Sequence, residues 1–188
     1  MHRSGIFVLI GLNLLMVAAP THADDYTIDP AHAAINFKVS HLGLSWVHGR
    51  FNSYAGTFSL DPDPAKCSFA MTMKTESIDT NNTKRDEHLR GPDFFNVKHF
   101  PTLSFKSTKV TQIKEGFQVT GDLTLHGVTK TITLPIAGGR KAEFPKGIMR
   151  VGFSSEFTIK RTDFGMDKFT EAIGDVIHIS LSFEGTKK

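Results

Sequence analysis

Three kinds of residue in this chain could do chemistry: scattered histidines, two knots of charge and a lone thiol. His32, His41 and His48 invite a metal reading, because imidazole is a common ligand for divalent cations. They lack the compact His-x-His or His-x-x-x-His spacing on one element, and Cys67 is the only cysteine, so no second thiolate could join them. The sequence therefore predicts no metal site, no cofactor and no intramolecular disulfide. Cys67 falls in phase with Phe69 and Met71, which predicts a small buried hydrophobe rather than a reactive thiol. His32 reads as a hydrogen-bonded structural residue. The two knots of charge are Arg85-Asp86-Glu87-His88 and Arg161-Thr162-Asp163. An acid/base pair would need a nucleophile or a water within hydrogen-bond reach. No Gly-x-Ser-x-Gly elbow, phosphate-cradling glycine loop or zinc-protease signature accompanies them. Two readings stay open. Either the charges cap the ends of the fold and lock a helix onto a sheet, or Arg85, His88, Arg161 and Asp163 line an opening and meet a ligand's polar head.

The elements that must position these groups are strands. Ile35, Phe37, Val39 and His41 share one side of an alternating run, with Asn36, Lys38 and Ser40 on the other, the pattern of a strand buried on one face. The same period returns in Phe69/Met71/Met73, Leu103/Phe105, Phe117/Val119, Leu123/Leu125, Ile132/Leu134/Ile136, Val151 to Ile159 and Ile177 to Phe183. Counting runs gives roughly eight strands, and such persistent alternation predicts an antiparallel sheet with one solvated face. A closed barrel of about eight strands is just wide enough to be filled by side chains or to hold one small ligand. The inward parity collects nine phenylalanines, at 37, 51, 58, 69, 105, 117, 153, 157 and 183. The chain carries 16 Phe against 2 Tyr and 1 Trp, so this aromatic surface has almost no polar atom that needs a partner. A filled core and a dry cavity both fit that composition.

Turn chemistry separates the runs at Asp61-Pro62-Asp63-Pro64, Glu115-Gly116, Gly138-Gly139 and Pro145-Lys146-Gly147. A parity slip around Ala55-Gly56 reads as a bulge, and Gly127 as another. Inward-facing Gly49 and Gly121 read as gaps that could give a ligand room, with Met71 and Met73 adapting to its shape. One short helix is expected over Asn82 to Arg90, capped by Asn82 and stopped at Gly91-Pro92. Thr162 to Gly174 reads as a loop with a short helical turn, in which Met166, Phe169 and Ile173 are spaced for one face. At the start of the chain, Arg3, the apolar run from Ile6 to Ala19 and the Thr21-His22-Ala23 site describe a secretory signal peptide of residues 1–23, cleaved after Ala23. That leaves one domain over residues 24–188. The net charge of +3 is spread among interspersed acids and bases, with no basic cluster carrying stacking aromatics, which argues against nucleic-acid binding.

Several segments in the right order resemble the YceI-like family of exported lipid-binding proteins. They are YTIDPAHAAINFKVSHLGLSWVHGRF from Tyr26, ESIDTNNTKRDEHLRGPDFFNVKHFPTLSFKS from Glu76, GDLTLHGVTKTITLPI from Gly121 and IKRTDFG from Ile159. Ala33 and Gly91 stand where the family pattern has serine, and any hydrogen bond from those hydroxyls is absent here. The resemblance implies an all-β, antiparallel, eight-stranded, lipocalin-like barrel with one or two short helices. It also implies an internal cavity for a polyisoprenoid, an isoprenoid quinone or a fatty-acid derivative, and no enzymatic activity. Strand parity then nominates Phe37, Val39, His41, Phe51, Phe58, Met71, Phe105, Leu125, Phe153, Phe157 and Phe183 as ligand-binding, joined by Arg85, His88, Arg161 and Asp163 at the mouth. The leading expectation is a periplasmic binding or carrier protein for a long-chain lipid. A barrel enzyme acting on a lipid or quinone through His41 or His88, and a ligand-free structural barrel, are the alternatives. A transient membrane contact and a homodimer stay open as partners.

Overall fold

The computed structural model describes residues 23–188, so the expected signal peptide lies, but for Ala23, outside the described residues. The alternating runs form ten strands and one helix: β1 (Asp24–His41), β2 (Ser45–Phe51), β3 (Tyr54–Leu60), β4 (Ser68–Lys74), β5 (Ile78–Asp79), α1 (Thr83–Arg90), β6 (Thr102–Ile113), β7 (Gly116–Leu125), β8 (Val128–Glu143), β9 (Met149–Lys160) and β10 (Ile173–Lys187). Every pairing is antiparallel. Eight of the strands, in the order β10-β9-β8-β7-β6-β4-β3-β1, close on themselves because β1 also pairs with β10. β1 is long enough to serve two partners on its other edge. Its start, Asp24 to Thr27, pairs with β3, and its end, Asn36 to His41, pairs with β2. Together with β5, β2 raises the wall at one end of the barrel, so the eight-strand expectation describes the closed ring and two short strands extend it.

Period-2 burial follows the sequence pattern. In β7 the residues alternate buried and half-buried along Val119, Gly121, Leu123 and Leu125, and β4 buries Phe69, Met71 and Met73. All nine inward phenylalanines belong to the core or pack against it. At the end where β1 begins, Tyr26, Phe58, Phe69, Phe117, Phe153 and Phe183 stack into one aromatic plug, with ring centroids 5.0 Å apart for Tyr26–Phe58 and 5.5 Å for Phe58–Phe153. Each such pair contributes about 0.5–1.5 kcal/mol beyond the area it buries. This plug is the floor. The opposite end carries α1, the β1–β2 turn, the β7–β8 turn and the β9–β10 loop.

Four local expectations are corrected. The parity slip between Phe51 and Phe58 falls at Asn52-Ser53, where both backbone N–H groups turn to Ser77, not at Ala55-Gly56. Gly127 is the second residue of a two-residue hairpin turn, with His126 and Gly127 both at positive φ, not a bulge. Gly138-Gly139 lies inside β8 as a bulge opposite Phe153 and Gly152, not as a turn. Finally, Gly49 and Gly121 do not leave gaps. A Cβ added at Gly49 would stand 2.3 Å from a Phe37 ring carbon, and one at Gly121 would stand 2.6 Å from Phe105, so these glycines make room for phenylalanine rings. The expected loop after β9 contains a short 3-10 turn, Arg161–Phe164, closed by Gly165 at φ 74°.

Candidate functional site

The barrel is not filled. Above the aromatic floor a cavity of about 1150 Å³ runs up to the open end, larger than the roughly 300–1000 Å³ of most small-molecule pockets. Its floor is Phe58, Phe69 and Phe183; its sides are Ile35, Phe37 and Val39 from β1, Met71 and Met73 from β4, Leu103 and Phe105 from β6, Leu123 and Leu125 from β7 and Phe157 from β9. Strand parity placed these side chains, and the apolar walls follow from it. Of the residues nominated from sequence, Phe37, Val39, His41, Phe51, Phe58, Met71, Phe105, Leu125, Phe157, Phe183, Arg85, His88 and Arg161 line this one cavity. Phe153 does not: it belongs to the plug, edge-on to Phe58 and Phe69, beneath the cavity. Asp163 does not either, being exposed on the 3-10 turn.

The charged groups at the mouth divide sharply. Arg161 is 3 % exposed, and its guanidinium donates to the backbone carbonyls of Gly174, Met166, Lys168 and Ile173. Burial lowers its pKa from the usual arginine value, and the nearby Asp175, Asp167 and Glu171 offset part of that cost. It is a clamp that ties the β9–β10 loop to the first residues of β10. Asp175 helps by accepting the Thr162 N–H and hydroxyl at 3.0 and 2.8 Å. His88 Nε2 donates to the Asp93 carboxylate (3.0 Å), and the ring packs edge-on to Phe94. Arg85 is different. Its Nε and one Nη donate to the Thr80 hydroxyl and carbonyl, both at 2.7 Å, and no carboxylate pairs with it among the described residues. Thr80 is itself buried, held by Asp86, whose Oδ1 accepts both the Thr80 N–H and hydroxyl.

Sequence reasoning missed Thr80, Asp86 and Asp175, whose roles depend on loop geometry, and also the rim aromatics. Phe94, Phe95 and Phe169 line the upper cavity, and Trp46 stands at its rim with its ring against His178 and Lys38 on the outward side of the wall. The adjacent pair Phe94-Phe95 after the helix was the available signal. Met166, Phe169 and Ile173, read as one helical face, do converge on the cavity, although only the preceding Arg161–Phe164 is helical.

His32 stands apart from the cavity. His32 bonds Asp29 at 2.9 Å on the outer surface, where Arg150 and His32 hold the Asp29 carboxyl down at about 2. Among the described residues no group of three or more His, Cys, Asp or Glu side chains is disposed to hold a metal ion. Cys67 is buried, and burial raises its thiol pKa.

Three comparisons bear on this geometry. The profile of the YceI-like domain matches residues 26–185. The protein YceI of Escherichia coli O6:H1 is 39 % identical over 186 residues, covering 96 % of this chain and 97 % of its own length. Among solved structures, Burkholderia cenocepacia BcnA superposes with a TM-score of 0.75 over 84 % of this chain and 98 % of its own, at 23 % identity. A polyisoprenoid binding domain from Saccharophagus degradans superposes with a TM-score of 0.68 over 87 % of this chain and 98 % of its own, at 15 % identity. The last two likenesses establish the lipocalin-like barrel as the fold.

Proposed function

The chain belongs to the YceI-like domain family, and on that premise we propose that it is a non-enzymatic binding or carrier protein that holds an isoprenoid or other long-chain lipid inside its barrel. The observation that carries this reading is the cavity of about 1150 Å³, walled by apolar side chains, plugged by phenylalanine at one end and open at the other. The Saccharophagus degradans neighbour, described as a polyisoprenoid binding domain, supports the same choice of cargo.

The physics of such a site is additive along the ligand. Each buried CH₂ is worth about 0.8 kcal/mol, so a five-carbon isoprene unit gains on the order of 3 kcal/mol before ordering costs. A few units in a dry channel suffice. The walls measure length and girth, and no wall group would distinguish one aliphatic chain from another. The mouth groups support carriage over catalysis, because Arg161 and His88 are committed to bonds within the protein.

The start of the sequence supports an exported setting for this reading. Arg3, the apolar run from Ile6 to Ala19 and the small-residue site ending at Ala23 suit a periplasmic protein beginning at Asp24. Loading would then occur where the mouth meets a membrane. The rim suits that contact, since Leu42 and Leu44 on the β1–β2 turn and Trp46 at the start of β2 are 55, 83 and 48 % exposed. The test is organic extraction of protein purified from the periplasm, followed by mass spectrometry. One apolar molecule per chain supports carriage. A product that changes on incubation points to an enzyme, and an empty barrel that takes up no added lipid overturns the proposal.

A further inference from the structure

We propose that the lipid held in this barrel ends in an oxyanion, a carboxylate or a phosphate, and that Arg85 receives it. The inference rests on the lipid reading and adds to it the chemistry of the head group.

Charge at the cavity is unbalanced. Its lining contains three arginines, Arg50, Arg85 and Arg161, but a single carboxylate, Asp79. Arg161 spends its guanidinium on four backbone carbonyls. Arg50 and Asp79 bond each other at 3.0 and 3.2 Å, and Asp79 is further engaged by Asn52 and the Asn81 N–H. Asp86, next to Arg85 in α1, turns one oxygen of its carboxylate, Oδ1, to the Thr80 N–H and hydroxyl. Arg85 is left with no carboxylate in direct contact, since Asp86 reaches it only through the Thr80 hydroxyl, which accepts from Arg85 Nε and donates to Asp86.

Its geometry is that of a receptor. A guanidinium has five N–H donors in a fixed plane, and Thr80 takes two of them along one edge. Because Thr80 is buried and doubly tied to Asp86, that edge is locked and the plane with it. The three remaining donors belong to a half-buried side chain on the wall of an apolar cavity, where an unpaired charge is costly until an anion arrives. Two parallel N–H donors match the two oxygens of a carboxylate or phosphate better than the single oxygen of an alcohol. Thr80 and Phe37 flank Gly49 together, so the receptor stands where the apolar wall begins: a head at Arg85 leaves the chain to run down past Phe37 toward the phenylalanine floor.

The experiment titrates delipidated protein with palmitate, hexadecyl phosphate and hexadecanol, which share one chain and differ in the head. Wild-type protein is expected to bind at least one of the two anions about tenfold or more tightly than the alcohol, the usual worth of a hydrogen bond to a charged group. Which anion gains more tells carboxylate from phosphate. Arg85→Gln should erase that preference by weakening the anions more than the alcohol, and Arg85→Lys, which keeps the charge but not the fork, should retain part of it. Equal binding of all three ligands by wild-type protein overturns this inference alone, whatever the variants do. A preference that survives Arg85→Gln in a protein of unchanged melting temperature also overturns it. Failure to take up any of the three overturns the lipid reading, and this inference with it.

Discussion

Replacing Arg161 should cost the fold and not the ligand. Its side chain donates at 2.6–3.1 Å to four carbonyls, two in the β9–β10 loop and two at the start of β10, and is almost wholly buried. Hydrogen bonds from a charged donor are worth about 1.5–3 kcal/mol each, but burying the charge offsets much of their sum, as its lowered pKa shows. Removing one side of a buried charged network typically costs about 3–5 kcal/mol, here because four carbonyls lose their donor. In a domain of this size each kcal/mol moves the melting temperature by about 2–4 °C, so Arg161→Met should lower it by about 6–20 °C. Arg161→Lys, with a point charge in place of a fork, should fall between. The assay is calorimetric melting of both variants beside hexadecanol binding well below their transitions. A melting temperature within about 2 °C of wild type, together with weakened binding, would show that Arg161 faces the ligand and that the clamp is misread.

Two further outcomes follow from the register and the charge pairs. Phe105→Asp buries an unpaired charge in the wall and should abolish folding or lipid retention, whereas exposed Lys106→Asp should leave a loaded protein; the reverse result, read by extraction, would move β6 by one residue. Asp24, bridged by Lys187 and Lys141, and Asp29, bridged by Arg150, have carboxyls held at about 2, below the usual 3.8. The folded values lie below the unfolded ones, so this stability is present above about pH 4 and lost as pH falls toward about 2. Acid melts of Asp24→Asn and Asp29→Asn should accordingly show a shallower loss over that window than wild type.

The walls of the site were legible because a strand with one wet face records its buried side at every second residue. That rule placed Phe37, Met71, Phe105, Leu125 and Phe157 on the cavity without any knowledge of the fold. It could not tell depth along the barrel, which is why Phe153, of the same parity as Phe157, lies in the plug instead. Nor could it separate Arg161 from Arg85. Both are arginines beside apolar runs, and their roles differ only through partners: four backbone carbonyls for one, a single threonine for the other. Carbonyl positions follow from turn geometry, which leaves no period in the side chains. The glycines misled for a related reason, since an inward glycine reads as empty space although a neighbouring strand's ring can fill it, as Phe37 does over Gly49.

The central claim is that the cavity is the lipid site, and the chain carries its own reporter. Trp46 is the one tryptophan in the sequence and stands at the rim of the cavity, within range of a ligand held inside. Delipidated protein is titrated with a conjugated polyene fatty acid while energy transfer from Trp46 is followed. Transfer that saturates at one ligand per chain and reverses on adding unlabelled polyprenol or palmitate is the predicted result. Transfer that never saturates, or that competing lipid leaves unchanged, would place the ligand outside the barrel and contradict the account.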